Sequence, residues 1–174
     1  MGEKITILGA GLVGSLLSIF LAKRGYEVTI YESRADMRKH SLAGGRSINL
    51  ALSHRGLKAL AAVGLAEKVA EECIPMHGRM IHDLAGNQEL QPYGKKGEYI
   101  NSVSRSGLNM ILMDEAERVG VQLEFNKKCH RVDVEQAIAV FEKETEQANW
   151  LFGADGAFSA MRNSLMKTPL FNYS

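Results

Sequence analysis

The chain has 174 residues, of which 45% are hydrophobic and 24% are charged, and its formal net charge is +1. A chain of this length can bury one hydrophobic core, so we expect one domain or the larger part of one. The near-neutral charge gives no electrostatic reason to expect nucleic acid or an acidic membrane surface as a partner. The two cysteines, Cys73 and Cys129, lack a CxxC or Cys/His spacing, so neither a disulfide framework nor a metal site is predicted.

The start of the chain predicts a cytoplasmic protein. The first strand pattern begins almost at Met1, which leaves no room for a signal peptide. The longest apolar run, residues 12–22, is interrupted by Gly14, Ser15 and Ser18 and is too short to span a bilayer. We therefore expect a reduced, cytoplasmic setting and no membrane segment in this chain.

Residues 4–34, KITILGAGLVGSLLSIFLAKRGYEVTIYESR, predict a strand, a glycine turn, a helix and a second strand. The apolar run 5–8 leads into a GxGxxG pattern, and a helical pattern over 12–23 follows it. In such a pattern Gly9 allows the tight turn, Gly11 lets the backbone approach a pyrophosphate, and Gly14 lets the helix lie close to the strand. The phosphates would then lie at the free amides of the helix N-terminus.

Glu32 stands at the end of the second strand, predicted over residues 28–31. A carboxylate at this position can accept hydrogen bonds from a ribose diol, and it would repel a 2′-phosphate. The segment therefore predicts a dinucleotide site, with a purely structural glycine turn as the alternative. The pattern alone leaves open whether the dinucleotide is FAD or NAD.

The next part of the chain predicts a loop followed by mixed elements. The loop covers 35–45, and Arg34 and Arg38 near its start could either reach a nucleotide phosphate or be solvated. A strand over 46–52 precedes a helix over 54–63 with Ser53 as its N-cap, and a second helix covers 65–72. Two strands, 75–84 and 100–104, are separated by a turn-rich segment.

The last third begins with a helix over 105–119. Its apolar face is predicted to hold Leu108, Ile111, Leu112 and Ala116. A strand over 121–125 follows, then a hairpin or three-stranded meander within 130–143, and a strand over 150–156 that leads to a helix over 157–166. We expect an α/β fold, a Rossmann-type βαβ sheet with helices and a β-meander that is incomplete at its C-terminus.

Three elements together resemble the group A flavoprotein aromatic hydroxylases: GAGLVG with Glu32, the region around Arg105, and GADGAFSAMR at 153–162. Longer strings resemble the kynurenine 3-monooxygenase family, and this similarity covers nearly all 174 residues. These strings are GRSINLALSHRG (45–56), IPMHGRMIH (74–82), QPYG (91–94) and SVSR (102–105) followed by Leu108 and Asn109. The resemblance implies that residues 1–174 are the N-terminal portion of an FAD-binding domain, with part of the substrate-facing strands at about 74–104.

Residue roles follow from this resemblance. With the glycine pattern, it implies a cofactor-binding set of Gly9, Gly11, Val13, Gly14, Glu32, Arg34, Ala51, Arg105, Cys129 and Asp155. By the same resemblance, Arg79 and Tyr93 correspond to substrate-binding positions. The chemistry agrees, since a guanidinium suits the amino-acid carboxylate of kynurenine and a hydroxyl can add a hydrogen bond. A solvated strand arginine is the alternative for Arg79. Two departures are that Cys129 stands where human-type members have a leucine, and that a GDAAH-type motif is absent.

The resemblance implies an FAD- and NADPH-dependent monooxygenase that uses O2 to hydroxylate L-kynurenine to 3-hydroxykynurenine in tryptophan catabolism. Because the cofactor supplies the chemistry, no catalytic side chain and no metal are expected, and His54, His77 and His82 are interpreted as local structure. One alternative is a catalytically silent FAD-binding fragment, since half of the flavin site is missing. A weaker alternative is an NAD-dependent dehydrogenase. The sequence makes no prediction of the oligomeric state.

Overall fold

The computed structural model describes residues 2–39 and 48–167. By its contacts the chain divides into unit 1, residues 1–44 and 109–174, and unit 2, residues 45–108. In chain order the elements are β1 (Lys4–Leu8), α1 (Leu12–Ala22), β2 (Glu27–Tyr31), β3 (Asn49–Leu52), α2 (His54–Ala62), α3 (Ala66–Glu71), β4 (Ile74–Met76), β5 (Gly78–His82), β6 (Gln88–Pro92), β7 (Ile100–Ser104), α4 (Arg105–Arg118), β8 (Gln122–Glu124), β9 (Arg131–Asp133), β10 (Ile138–Val140), β11 (Thr145–Gln147), β12 (Trp150–Gly153), a 3-10 helix (Gly156–Phe158) and α5 (Ala160–Leu165). None of the helices within the described ranges is long and apolar enough to cross a membrane.

Unit 1 is built on a parallel sheet with the strand order β12-β1-β2-β8. The aliphatic residues of β1 and β2 are almost completely buried, which explains why such residues predominate in these two strands. Leu8 pairs with Tyr31 on one side and with Gly153 on the other, so these strands end at the same edge of the sheet. In open parallel sheets, ligands bind beyond this carboxyl edge. The predicted α/β fold with its βαβ unit is confirmed.

The β-meander packs against the same sheet. Strands β9, β10 and β11 form an antiparallel three-stranded sheet, so the element is a meander, but its third strand lies beyond the predicted range of 130–143. Val132, Ala139 and Phe141 from this region form one buried cluster with Leu8 at the end of β1. The ring of Tyr31, at the end of β2, lies 4.6 Å from that of Phe141. The meander therefore buries the strand ends from which the glycine turn and Glu32 emerge.

Unit 2 differs from the prediction in its strands. The predicted strand 75–84 is two strands, β4 and β5, that belong to different sheets. The segment predicted to be only turns contains β6, which pairs with β5 in an antiparallel hairpin. Asp83 closes that hairpin, because its side chain accepts backbone hydrogen bonds from Ala85 and Asn87 at 2.9 and 2.8 Å. The strand QELQP is exposed throughout and has no apolar alternation. It is a strand because its backbone pairs with β5, and its composition alone does not predict one.

Helix boundaries also differ in places. The helix predicted from residue 157 begins at Ala160 after the 3-10 turn. Ser159 Oγ accepts from Arg162 N at 2.9 Å, and Asp155 Oδ2 accepts from Ala160 N at 2.6 Å, so two side chains fix this start. Ser53 does occupy the N-cap position of α2, but its side chain makes no capping hydrogen bond. The predicted strand 46–52 begins at Asn49, and residues 46 and 47 lie outside the described ranges.

The buried face of α4 includes residues that the apolar pattern missed. Leu108, Leu112 and Ala116 are buried as predicted, whereas Ile111 is only half-buried. Met113 and the polar Asn109, which were not predicted to lie on this face, are also buried.

Arg38 ties the loop after β2 to α4. Its backbone and side chain donate to Asp36 at 2.8–3.0 Å, and its Nη1 donates to Asp114 and Glu117 at 3.0 and 2.6 Å. Only 17% of the Arg38 side chain is exposed. Hydrogen bonds from Arg38 hold the pKa of Asp36 below its usual value, although burial opposes this. Arg38 is thus neither solvated nor free to reach a phosphate, which corrects both alternatives drawn from the sequence.

Arg38→Met should lower the free energy of unfolding by about 1.5–3 kcal/mol, the range for a hydrogen bond to a charged group, because Asp36 remains buried without its guanidinium partner. The matched control is Arg34→Met. The Arg34 side chain is 73% exposed, and without it Glu32 keeps hydrogen bonds from the backbone N of Ala10 and of residue 34, so the same change there should cost less than about 1 kcal/mol. Urea denaturation followed by circular dichroism measures both, and equal losses would contradict this assignment.

The pH dependence gives a second measurement on the same variants. Since the folded-state pKa of Asp36 is lowered, its stabilising contribution is complete above its unfolded pKa of about 4 and is lost as the pH falls through the folded value. We expect this acid-dependent loss of stability to shrink in Arg38→Met.

Candidate functional site

Two glycines of the turn after β1 are required by contacts within the protein. Gly9 has φ of +98°, and a Cβ there would lie 2.6 Å from the carbonyl oxygen of Ala154, which follows β12. A Cβ on Gly14 would collide with the carbonyl oxygen of Gly9. Any side chain at either position would therefore force the turn away from the sheet or α1 away from the turn.

Gly11 is different, because a Cβ there would meet no described heavy atom within 4 Å. Its φ of −75° is also open to any residue. Gly11 is the N-cap of α1 and supplies no capping side chain, so the first amides of the helix are left for another acceptor. Open space beside helical amides fits the diphosphate of a dinucleotide. Val13, in this first turn, is 71% exposed.

Glu32 is buried, with 5% of the residue exposed, and it already has protein partners. Its Oε2 accepts from Ala10 N at 2.9 Å, and its Oε1 accepts from the backbone N and Nε of Arg34, both at 2.9 Å. Burial would raise the pKa of this carboxyl, but the hydrogen bonds from Arg34 and Ala10 hold it below its usual value. A carboxylate oxygen can accept two hydrogen bonds, so Oε2 keeps capacity for a hydroxyl donor.

Arg34 lies two residues after Glu32, and Arg38 lies two residues after Asp36. In each pair the carboxylate accepts hydrogen bonds from the backbone N and the Nε of the arginine. The two side chains nevertheless differ in access. Arg38 is enclosed by three carboxylates, whereas Arg34 is 73% exposed beside Glu32. Of these two arginines, Arg34 is therefore the one that is open to a ligand at this end of the sheet.

Asp155 and Cys129 lie near the same edge of the sheet. Asp155 follows β12, and a Cβ on Gly9 would lie 3.0 Å from its Cα. Its Oδ1 is buried and has no hydrogen-bond partner among the described residues. Cys129 is half-buried against the meander cluster, and burial raises the pKa of its thiol. Unit 1 thus brings the glycine turn, Glu32, Arg34 and Asp155 to one edge.

The other predicted cofactor residues belong to unit 2 in this division of the chain. Ala51 is exposed on β3, opposite Ser102 of β7. Arg105 is exposed at the first position of α4, and its backbone N donates to Ile48 O at 3.2 Å. The β3–β7 ladder therefore holds Ala51 and Arg105 in one region of unit 2.

Arg79 and Tyr93 lie on one face of the β5–β6 hairpin. Arg79 pairs with Gln91, and its Nε donates to Gln91 Oε1 at 2.6 Å. Tyr93 N donates to His77 O at 3.0 Å, so the ladder continues and the Tyr93 side chain points to the same side as that of Gln91. Tyr93 is 45% exposed, and Arg79 is exposed as well. A cation and a phenol on one open face can together bind a carboxylate.

The residues that sequence reasoning missed surround Ala10, which is fully buried. The Ala10 carbonyl accepts from Asn109 Nδ2 at 3.0 Å and from Ser15 Oγ at 3.2 Å, while its N–H donates to Glu32. The available signal was an asparagine at helical spacing from Leu112, Met113 and Ala116 on α4.

Several curated proteins similar to this chain carry the name kynurenine 3-monooxygenase. A kynurenine 3-monooxygenase of Myxococcus xanthus is 47% identical over 97% of this chain and 38% of that protein. Those of Cytophaga hutchinsonii and Sus scrofa are 43% and 42% identical, over 96% and 98% of this chain and 39% and 37% of those proteins. The chain therefore spans about two fifths of the length of these relatives.

Solved structures share the fold at lower identity. The tetrameric form of 2-methyl-3-hydroxypyridine-5-carboxylic acid oxygenase has a TM-score of 0.78 at 22% identity, over 94% of this chain and 42% of that one. The p-nitrophenol 4-monooxygenase of Pseudomonas putida has a TM-score of 0.76 at 17% identity, over 94% of this chain and 43% of that one.

One family model matches almost the whole sequence. It is described as an FAD binding domain, and it covers residues 3–170. That description decides between the two dinucleotides that the glycine pattern leaves open. Since a match of this extent includes the glycine turn, Glu32 and Asp155, the chain belongs to the FAD binding domain family, and FAD is its cofactor.

Proposed function

We propose that this chain is the FAD-binding part of a monooxygenase that uses NADPH and O2 to hydroxylate L-kynurenine to 3-hydroxykynurenine. The observation that carries the proposal is the identity of 41–47% to proteins named kynurenine 3-monooxygenase, over nearly all of this chain. We assign residues 1–174 to the N-terminal portion of the FAD-binding domain, with the strands at about 74–104 facing the substrate. A cytoplasmic location is part of the proposal and accords with two free cysteines.

In this proposal unit 1 binds the nucleotide end of FAD. The first amides of α1 hold the diphosphate over Gly11, and Glu32 Oε2 accepts a hydrogen bond from the ribose. Arg34, exposed beside Glu32, adds a cationic contact. FAD reduced by NADPH supplies the oxygen chemistry when bound, and the protein supplies position and exclusion of water. The full set of proposed cofactor contacts is Gly9, Gly11, Val13, Gly14, Glu32, Arg34, Ala51, Arg105, Cys129 and Asp155.

Substrate binding is assigned to the β5–β6 hairpin. The Arg79 guanidinium can pair with the amino-acid carboxylate of kynurenine through two parallel hydrogen bonds. The Tyr93 hydroxyl lies on the same face and can donate a further hydrogen bond. No side chain of this chain is assigned a role as catalytic acid, base or nucleophile, because the cofactor carries the chemistry.

A second candidate function is a catalytically silent FAD-binding chain. The chain spans 37–40% of the relatives' length, so turnover is not assigned to this length of chain by itself. The two candidates differ in turnover and agree in FAD binding, so the experiments below treat binding and turnover separately.

Gly11→Ala should weaken FAD binding at least about tenfold, which corresponds to ~1.4 kcal/mol, because the new Cβ occupies the space proposed for the diphosphate. The same variant should unfold within about 1 kcal/mol of the parent chain, since that Cβ meets no protein atom and only the N-cap preference changes. Isothermal calorimetry with FAD and urea denaturation measure the two quantities.

Gly14→Ala is the steric contrast to this variant. Its Cβ would collide with the Gly9 carbonyl, so here stability should fall, by roughly 1–3 kcal/mol. If Gly11→Ala binds FAD as tightly as the parent chain, the proposal that the diphosphate binds at this turn is wrong.

Substrate binding is best tested in a hybrid in which this chain replaces the matching two fifths of the Myxococcus xanthus relative. In that hybrid, Arg79→Met should raise the Michaelis constant for kynurenine at least about tenfold, because the aliphatic stem remains and the carboxylate loses its charged partner. The flavin-to-protein ratio should not change. Kynurenine-dependent NADPH oxidation provides the measurement.

The matched control is Arg131→Met, which removes an exposed strand arginine from unit 1. Its Michaelis constant should equal that of the unsubstituted hybrid. If Arg79→Met also leaves this constant unchanged, Arg79 is a solvated strand arginine.

A hybrid that binds FAD but does not turn over kynurenine would favour the second candidate function, the catalytically silent chain.

A further inference from the structure

The peptide group between Ala10 and Gly11 is held from inside the protein. Asn109 Nδ2 donates to the Ala10 carbonyl at 3.0 Å, across 99 positions of sequence, and also contacts Met37 Sδ at 3.4 Å. The N–H of Ala10 is held in turn by Glu32 at 2.9 Å. Both polar groups of a fully buried turn residue are therefore fixed by distant side chains.

Stability alone does not account for an asparagine at this position. Asn109 is 6% exposed, and its Oδ1 is buried without a hydrogen-bond partner in the part of the chain that the structure describes. Its neighbours on the buried face of α4 are apolar, Leu112, Met113 and Ala116. A buried amide that is only half satisfied is costly, and a leucine, which has the same number of side-chain heavy atoms, would avoid that cost.

The geometry of the peptide group indicates what the amide does. A trans peptide is planar, and its C=O and N–H point in opposite directions. Because Asn109 draws the Ala10 carbonyl towards α4, the N–H of Gly11 in the same plane points away from α4. That N–H stands at the N-cap of α1, beside the open space over Gly11.

We propose that Asn109 is a positioning residue for the FAD diphosphate, which it orients by fixing the Ala10 carbonyl so that the Gly11 N–H faces the phosphate oxygens. This inference rests on the proposed binding of FAD at the glycine turn. In this proposal Asn109 serves ligand binding through its Nδ2, and its unpartnered Oδ1 lowers the stability of the protein.

Asn109→Leu in the full chain tests this proposal, because it should lower the affinity for FAD without lowering the melting temperature. The affinities for FAD and for ADP should both fall at least about tenfold, while the melting temperature should stay unchanged or rise. A merely structural asparagine would lower stability and affinity together. Adenosine, which has no phosphate, should bind the parent chain and the variant equally. Calorimetric titration and thermal circular dichroism give these values.

Ser18→Ala is the matched control, because it removes a buried side-chain hydrogen bond that does not reach Ala10. Ser18 donates to the backbone of its own helix α1, so affinity for FAD should change less than about threefold. If Asn109→Leu fails to fold, Asn109→Ala, which cannot overpack, takes its place with the same expected loss of affinity.

Each failure has its own meaning. A parent chain that binds neither FAD nor ADP overturns the proposed site at the glycine turn, and this inference with it. A parent chain that binds FAD, with Asn109→Leu binding it equally well, overturns only the role of Asn109. Loss of cooperative unfolding in both Asn109 variants, or an equal loss of adenosine affinity, would make the residue structural and also overturn the inference.

Discussion

The Glu32 carboxylate joins the ends of β1 and β2 beyond their shared ladder. Through Oε2 it holds the glycine turn at Ala10, and through Oε1 it holds the start of the next loop at Arg34. The acid that the proposed ribose contact requires is therefore also part of the fold. Its removal would leave the buried Ala10 N–H unsatisfied, so a loss of FAD there would have two causes. At Gly11 an added Cβ would meet no described heavy atom within 4 Å, so a substitution there separates binding from stability more cleanly.

The same local pattern has two tertiary outcomes in this loop. ESR at 32–34 and DMR at 36–38 form matching acid-to-arginine hydrogen bonds, as their equal spacing allows. Asp114 and Glu117 on α4 then enclose Arg38, while Arg34 stays exposed beside the site. Since α4 lies some 75 positions further along the chain, no reading of the loop by itself could assign different roles to these arginines.

Unit 2 carries the proposed substrate contacts on a polar hairpin. Strand β6 has neither apolar alternation nor β-branched residues, so its sequence resembles a loop, and the backbone pairing with β5 defines it. That pairing aligns Arg79 with Gln91 and so brings Arg79 and Tyr93 to one face. The kynurenine proposal thus depends on an element that periodicity does not detect, although its short sequence strings carried the family resemblance.

The sequence by itself determined the βαβ unit, the glycine turn and the acid after β2, because tight turns and buried parallel strands restrict residue type locally. Alternation predicted a hairpin or a meander without deciding between them, and long matching strings carried the resemblance to an FAD-dependent family. Only the tertiary structure decided that Arg38 binds carboxylates of α4 while Arg34 stays exposed. It also decided that Asn109 donates a hydrogen bond to Ala10. Those roles depend on which distant side chains share a buried space, and hydrogen bonds between residues 10 and 109 leave no periodic trace in the chain.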